Sequence, residues 1–328
     1  MENKLVSLIV VVYKIEKFLP KCLDSLQNQT YQNIEIVLSV SDGGDRSLEI
    51  CEKYANQDYR FKVIKTKPQG IAMARNVGMR AATGEYLAWV DGDDWVESTF
   101  VENLVRHMEK KDASVSLCGY YKEYTDKSIQ VVSSNLTSGE PVSVKEIYKE
   151  IISYNSFGME IWDKLFKTAD VREIEFPNVR EAEDRFWLVE VLKKTKHCSY
   201  TGTAEYHYRI RNDSCSRTDI NAEISLESDE KLVNYVLKTY PELDRKLSLY
   251  LFLAIYRVIY DSLMRDSHFS YNHNRELFHK LRFNAIKAKK VCIRKNDKVK
   301  LFLARTNFTL LLKFMRLTQI RRTTNDYY

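Results

Sequence analysis

The chain has 328 residues, of which 44% are hydrophobic and 29% charged. That balance fits an ordinary globular protein with one large domain, or one domain and an appendage, and excludes fibrous, low-complexity and disordered classes. The net charge of +6 hides an asymmetry, because residues 280–322 carry fourteen Lys or Arg against the single acid Asp297 and the remainder is net −7; basic charge held at one end implies an anionic partner surface.

Taken in order, Ser7–Val12 and Ile34–Val40 are short, nearly continuous apolar runs of the kind that form parallel strands covered on both faces. Between them Phe18, Leu19, Cys22, Leu23 and Leu26 recur at helical spacing, with Pro20 near the first turn. This strand–helix–strand unit should cross over right-handed. A helix is expected over about 47–55, a strand over Phe61–Lys65 and a helix over Ile71–Ala82 opened by Gly70. An apolar strand then runs from Tyr86 to Val90. Ligands of such a half are expected at the carboxyl ends of the strands. Farther on, the pattern predicts a helix over Glu97–Lys110, a strand over Ala113–Tyr120 and a Ser/Thr-rich hairpin or loop to about Val142. Helical turns follow over Ile147–Ile152 and Ile161–Phe166, then a helix over Glu183–Lys194 and a strand over Thr203–Ile210. From Ile220 the chain reads as helices alone: Leu226–Leu237, Leu243–Met264, Arg275–Ala288 and Val299–Leu317.

The run Tyr86–Val90 delivers three carboxylates, Asp91, Asp93 and Asp94, at the point where it stops. Alternate residues of a strand point the same way, so Asp91 and Asp93 can converge. Two hard anionic oxygens there suit Mg²⁺ or Mn²⁺, and with it a substrate diphosphate. Helix capping before Val96-Glu97 is the competing explanation, and it accounts for one Asp better than for three. The six cysteines (Cys22, Cys51, Cys118, Cys198, Cys215, Cys292) show neither CxxC nor metal spacing, as expected of reduced thiols in a cytoplasmic protein. Leu5–Tyr13 lacks a small-residue cleavage site and reads as a first strand, not a signal peptide. No uninterrupted apolar window reaches ~18 residues, so a transmembrane helix is not expected.

The succession Val6–Tyr13, Lys21–Tyr31, Asn33–Ile36, Ala74-Arg-Asn-Val-Gly78, Thr83–Tyr86 and Asp91-Gly-Asp-Asp94 resembles glycosyltransferase family 2. Trp162–Phe166, Glu183-Asp184 and Tyr208–Arg217 extend the likeness, which spans roughly residues 5–217 and points to the bacterial members that build capsular or other surface polysaccharides. It implies an α/β GT-A fold over 1–219, with a nucleotide-sugar half to about residue 95 and an acceptor half from about 96, followed by a helical appendage over 220–328. It further implies a metal-dependent, inverting transfer of a hexose or N-acetylhexosamine from a nucleotide sugar to a polysaccharide-precursor acceptor. By the same likeness Asp93 and Asp91 hold Mn²⁺ or Mg²⁺, Asp91 also reaching the ribose, and the ion neutralises the departing diphosphate. Asp184 is the base, although Glu183 and Asp184 would also simply favour a helix N-terminus. Tyr13, Asp42, Arg75, Arg209 and Arg211 are the expected donor-binding residues; Arg217 and His207 are further candidates, for phosphate and metal respectively.

The chain departs from the family pattern after the second strand, where acids that read the uracil are usual: Leu38-Ser-Val-Ser-Asp-Gly-Gly-Asp45 puts Val40 and Ser41 at those positions, with Asp42 able to substitute after a one-residue shift. A UDP-linked donor is still expected. No Gln-x-x-Arg-Trp occurs, which implies one sugar per encounter. Two rivals are a sugar-phosphate nucleotidyltransferase, which would show a Gly-rich loop after the first strand, and a degenerate nucleotide-binding scaffold. The basic stretch 280–322 is expected either to lie on an anionic membrane, close to a lipid-linked acceptor at the inner face of the plasma membrane, or to pack on protein; nucleic acid is not expected, because no recognition motif accompanies the charge.

Overall fold

The computed structural model describes residues 3–126, 128–153, 158–179, 182–211, 222–265, 269–272, 274–288, 291 and 295–322. The chain divides into two compact units, Met1–Ile220 and Asn221–Tyr328.

The first unit is built on one mixed sheet. Its parallel part comprises β1 (Val6–Val12), β2 (Ile34–Ser41), β3 (Phe61–Thr66) and β4 (Tyr86–Asp91), in the order β3-β2-β1-β4. The intervening helices are α1 (Leu19–Gln27), α2 (Ser47–Gln57) and α3 (Ile71–Ala81). β1 and β2 are apolar almost throughout because helices cover both faces, which removes any need for alternation. α3 lies close on β1: a Cβ at Gly78 would fall 2.4 Å from the Ile9 Cγ2 atom, so only glycine permits that approach.

The second part of the sheet continues from β4 through β9 (Lys164–Lys167), β6 (Val115–Glu123), β10 (His197–Arg209) and β5 (Trp95–Val96). β9 is antiparallel to both β4 and β6, β10 is parallel to β6, and β5 is antiparallel to β10. β7 (Ile129–Val132) and β8 (Pro141–Ser143) pair with β6 and β10. Helices α4 (Phe100–Lys111), α5 (Val144–Ser153), α6 (Thr168–Val171) and α7 (Glu183–Lys194) complete the unit. The expected helical turn over Ile161–Phe166 is instead a turn at residues 161–163 followed by the first residues of β9. Ile161, Trp162, Leu165 and Phe166 are all buried, so their spacing imitates a helix while reflecting a buried turn that runs into a buried strand.

At the amino ends of the strands a buried carboxylate ties three segments. Glu35 accepts hydrogen bonds from the Ser7 hydroxyl (2.5 Å), the Thr83 amide (2.5 Å) and the Thr83 hydroxyl (2.9 Å), and pairs with Lys62. Burial opposes its ionisation, but the Lys62, Ser7 and Thr83 donors outweigh it and hold the carboxyl at about 2.

The second unit contains α8 (Ala222–Thr239), a 3₁₀ turn (Pro241–Leu243), α9 (Asp244–Arg265), α10 (Arg275–Lys287), α11 (Lys295–Thr306) and α12 (Phe308–Arg322). Its core gathers Phe252, Ile255 and Ile259 of α9 with Phe278 and Leu281 of α10, Leu301 of α11 and Leu311 of α12. The single helix expected over Val299–Leu317 is two. Asn307 separates them, its side-chain oxygen accepting the Leu310 amide at 3.0 Å as a cap on α12. By length and composition alone Pro241–Arg265 could cross a bilayer, with a mean hydropathy of 1.4 in its most apolar window, but 56% of that window is buried in the structure, as in the core helix of a globular protein. The charges that interrupt its apolar stretch, residues 247–264, are Arg257 and Asp261, which lie 3.7 Å apart.

Candidate active site

The carboxyl ends of β1, β2 and β4 bring the expected site residues into one neighbourhood. β4 ends at Asp91, and the chain turns at once, the Asp94 amide donating to the Asp91 carbonyl at 2.9 Å. Gly92 makes this turn possible: a Cβ there would lie 2.4 Å from the Ile15 Cδ1 atom and 3.1 Å from the Val11 carbonyl. The three acids then diverge in role. Asp94 is buried and accepts the Tyr206 hydroxyl (2.9 Å) and the Arg209 amide (2.8 Å), which locks the end of β10 to the turn. The same Tyr206 hydroxyl accepts the Asp91 amide at 3.1 Å. Asp91 and Asp93 keep partly exposed carboxylates, 29% and 23% accessible, and these face the carboxyl end of the sheet.

Arg75, an expected donor-binding residue, is engaged by acids of the protein. It is 3% exposed, pairs with Glu183 at 2.5 Å through Nη1 and reaches Asp91 at 3.4 Å through Nη2. α3 is held in that position by its next residue, since the Asn76 side chain both donates to the Phe176 carbonyl (2.9 Å) and accepts the Phe176 amide (2.8 Å). The chain reaches α7 through Ala182 at φ +60°, a left-handed conformation unfavourable for alanine that turns Glu183 and Asp184 toward Arg75. Glu183 is buried and Asp184 half-buried.

One guanidinium thus sits among three acids, and the excess of acid shows in their protonation. Burial, with Asp93 and Asp184 adding to it and Arg75 opposing, raises Asp91 to about 6. Burial raises Glu183 to about 7 against the pull of Arg75, with Asp184 reinforcing it. Burial disfavours the charged form of Arg75, but Glu183, Asp91 and Asp184 more than offset it and keep the guanidinium charged. A local surplus of negative charge of this kind favours a cation. Among the described residues no group of three or more His, Cys, Asp or Glu side chains could hold a metal on its own. Asp91 and Asp93, the two partly exposed acids, are the side chains here that could offer oxygens to such an ion.

A stack of aromatic and cationic side chains flanks the acids. His207 lies between Trp95 (4.8 Å) and Tyr121 (4.5 Å), and its two ring nitrogens meet Glu97 (2.9 Å) and Glu123 (2.7 Å), so it does not face Asp93 as a ligand. Lys21 lies 3.1 Å over the Trp95 ring, with Arg209 over both Trp95 and Phe18 and Arg211 over Phe18. Arg209 Nε donates to the Asp93 carbonyl at 2.8 Å, and Arg211 Nη2 pairs with the Asp93 carboxylate at 2.9 Å. Arg217, Cys215 and Cys292 lie outside the described residues.

On the base side Tyr13 is 48% exposed. Ser41 is buried and shares a 2.8 Å hydrogen bond with Thr66. Asp42 is exposed and accepts the Gly44 amide at 2.9 Å, closing a turn instead of presenting both oxygens outward. Glu183 as partner of Arg75, and Tyr206 as bridge between Asp91 and Asp94, were not singled out for these roles from the sequence; the alternation of β10 places Tyr206 and Tyr208 on one face and was the available signal.

A nucleotide-binding parallel half joined to a mixed second half, with acids at the end of β4 and helices on both faces, defines the GT-A fold. The glycosyl transferase family 2 model matches residues 7–166. GlyG of Streptococcus pneumoniae, a glycosyltransferase, is 31% identical over 227 residues, covering 67% of this chain and 75% of GlyG. EpsH of Bacillus subtilis is 34% identical over 219 residues, covering 65% of this chain and 63% of EpsH. The glycosyltransferase GlyA of S. pneumoniae is 33% identical over 219 residues, and there the alignment spans 65% of this chain and only 31% of GlyA. The chain belongs to glycosyl transferase family 2. Among solved structures, S. aureus TarS 1–349 in complex with UDP-GlcNAc superposes with a TM-score of 0.67 at 19% identity, covering 98% of this chain and 93% of TarS 1–349. The mannosyltransferase PcManGT from Pyrobaculum calidifontis, in complex with GDP-Man and Mn²⁺, superposes with a TM-score of 0.52 at 14% identity over 98% of this chain and 87% of that one. At these identities the two share the fold.

Proposed function

We propose that the chain is a metal-dependent, inverting glycosyltransferase that moves a hexose or N-acetylhexosamine from a UDP-linked donor to a saccharide acceptor, one sugar per encounter. The observation that carries this reading is the convergence of Asp91, Asp93, Asp184 and Arg75 at the carboxyl end of β4, with partly exposed carboxylates on Asp91 and Asp93. Those two acids fit a divalent ion: they are hard oxygen donors in a pocket with surplus negative charge. Bound there, Mn²⁺ or Mg²⁺ supplies charge neutralisation for the leaving diphosphate. Arg209 and Arg211, at the end of β10, hold the phosphates; Tyr13 offers a ring to the base, with Asp42 and the Ser41–Thr66 hydroxyls on the same side. Asp184 takes the proton of the acceptor hydroxyl as it attacks the anomeric carbon opposite the diphosphate, and a single displacement needs only that one base. Glu183 is occupied by Arg75 and is unsuited to the task.

The acceptor in this reading is a surface-polysaccharide precursor carried on a lipid, and the reaction belongs on the cytoplasmic side of the membrane. Transfer assayed over a panel of nucleotide sugars, with Mn²⁺, Mg²⁺ or chelator, tests the proposal. Transfer lost in chelator and restored by Mn²⁺ supports it, and metal-independent transfer overturns the assignment of Asp91 and Asp93. The second reading, a nucleotide-binding scaffold without turnover, is favoured only by the absence of acids at Val40 and Ser41. Nucleotide binding with neither hydrolysis nor transfer across the panel would establish it.

A further inference from the structure

The second unit exposes apolar side chains in a regular way. α10 leaves Phe283 and Ile286 exposed at 61% and 54%, and α11 leaves Val299 and Phe302 exposed at 44% and 57%. α12 leaves Leu310 and Leu317 exposed at 50% and 65%. Spacings of three and seven residues put each pair on one face of its helix. These side chains are not an overflow of the core, which is filled from the opposite faces by Phe278, Leu281, Leu301, Ala304, Leu311 and Met315.

Charge follows the same faces. Arg282 adjoins Phe283, Lys298 adjoins Val299, Lys313 follows Leu310 by one turn and Arg316 adjoins Leu317. All four cations are exposed and have no acidic partner among the described residues. Other cations of these helices are neutralised: Lys280 by Glu230, Lys287 by Asp244 and Lys300 by Asp297.

We infer that the faces of α10, α11 and α12 bearing Phe283, Phe302 and Leu317 form a docking surface for an anionic lipid bilayer. Two other occupants fit less well. A second copy of this chain would set like charges against each other across the contact, since 280–322 is strongly basic. An acidic protein would satisfy the cations but would leave six large apolar side chains in need of an apolar counterpart. A bilayer interface offers both: headgroup phosphates at the level of the Lys and Arg tips and acyl chains beneath for Phe, Leu, Ile and Val. The inference does not depend on sugar transfer in the first unit, and its test measures binding alone.

The experiment is sedimentation of the full-length protein with vesicles of equimolar phosphatidylglycerol and phosphatidylcholine, or of phosphatidylcholine alone. The expected result is binding to the anionic vesicles that weakens at high salt and is released by alkaline carbonate. The variant carrying R282E, K298E, K313E and R316E should bind at least about a hundredfold more weakly, given the contribution of each basic residue near an anionic surface. F302S with L317S should lose about tenfold or more through apolar area alone, with the salt dependence retained. Circular dichroism of both variants confirms that the helices are intact. Equal binding to both vesicle types, or no loss in the charge-reversed variant, overturns the inference. Binding that resists carbonate also overturns it and points to insertion of Pro241–Arg265. Concentration-dependent self-association without vesicle binding assigns the surface to a second copy.

Discussion

Arg211 Nη2 lies 2.9 Å from Asp93 Oδ2, on a carboxylate that the proposed divalent ion requires. In the proposed metal site a guanidinium thus competes for one of the ion's carboxylates, and a diphosphate would draw it away. Metal and nucleotide binding should therefore be positively coupled, each strengthening the other to the same degree. Arg211→Gln should strengthen Mn²⁺ binding in the absence of nucleotide by roughly three- to tenfold, the scale of a partly exposed ion pair, and weaken UDP binding. Electron paramagnetic resonance of free Mn²⁺, with and without UDP, measures both effects. Unchanged Mn²⁺ affinity in the variant would show that the pair is no obstacle.

Asp184→Asn preserves shape while removing the proton acceptor. Transfer should fall by about two to four orders of magnitude with UDP binding unchanged, as expected for loss of a general base. Comparison of kcat with the dissociation constant for UDP, read by calorimetry, separates the two quantities. Near-normal turnover would remove Asp184 from the role.

Arg75 and Glu183 form a buried pair, so removing one partner strands the other. Arg75→Ala should destabilise the first unit by about 3–5 kcal/mol by leaving excess carboxylate without its counter-ion. Glu183→Gln should cost less, because the amide still accepts from Arg75 and Asp91 still balances the charge. All four tryptophans, Trp89, Trp95, Trp162 and Trp187, belong to the first unit, so their fluorescence during urea unfolding reports that unit alone.

Glu35 predicts an acid-dependent loss of stability. Its folded-state value of about 2 lies below the ordinary 4.5, so its contribution is full above about pH 4.5 and fades as the pH falls toward 2. The shift corresponds to about 3 kcal/mol at most. Glu35→Gln should lower stability at neutral pH by about 2–4 kcal/mol and flatten the dependence over that acid window. Tryptophan fluorescence at a series of pH values detects the difference, and parallel profiles for the variant and the parent would refute it.

The parallel half was legible in the sequence because its signals are local. Apolar runs, helical spacing and turn glycines fall in order, and the acids stand where β4 stops. The antiparallel insertion of β9 was not legible, since Ile161–Phe166 carries the same apolar spacing in a buried turn and strand as in a helix. The fate of Arg75 was equally hidden. Its partner Glu183 is 108 residues away, and only the packing of α3 against α7 brings the two together. The helical break at Asn307 depends on a side-chain cap within a continuous amphipathic pattern, which periodicity alone passes over.

The Tyr206 hydroxyl joins the Asp91 amide to Asp94 across 115 and 112 residues of sequence. During synthesis the strand that ends in Asp91 therefore leaves the ribosome long before the strand that fixes its geometry. A nascent chain ending near residue 166 would hold β1 to β4 and still lack the Tyr206 bridge, Arg209 and Arg211. This geometry can be completed only after about residue 211 has been released, which makes it a late product of folding.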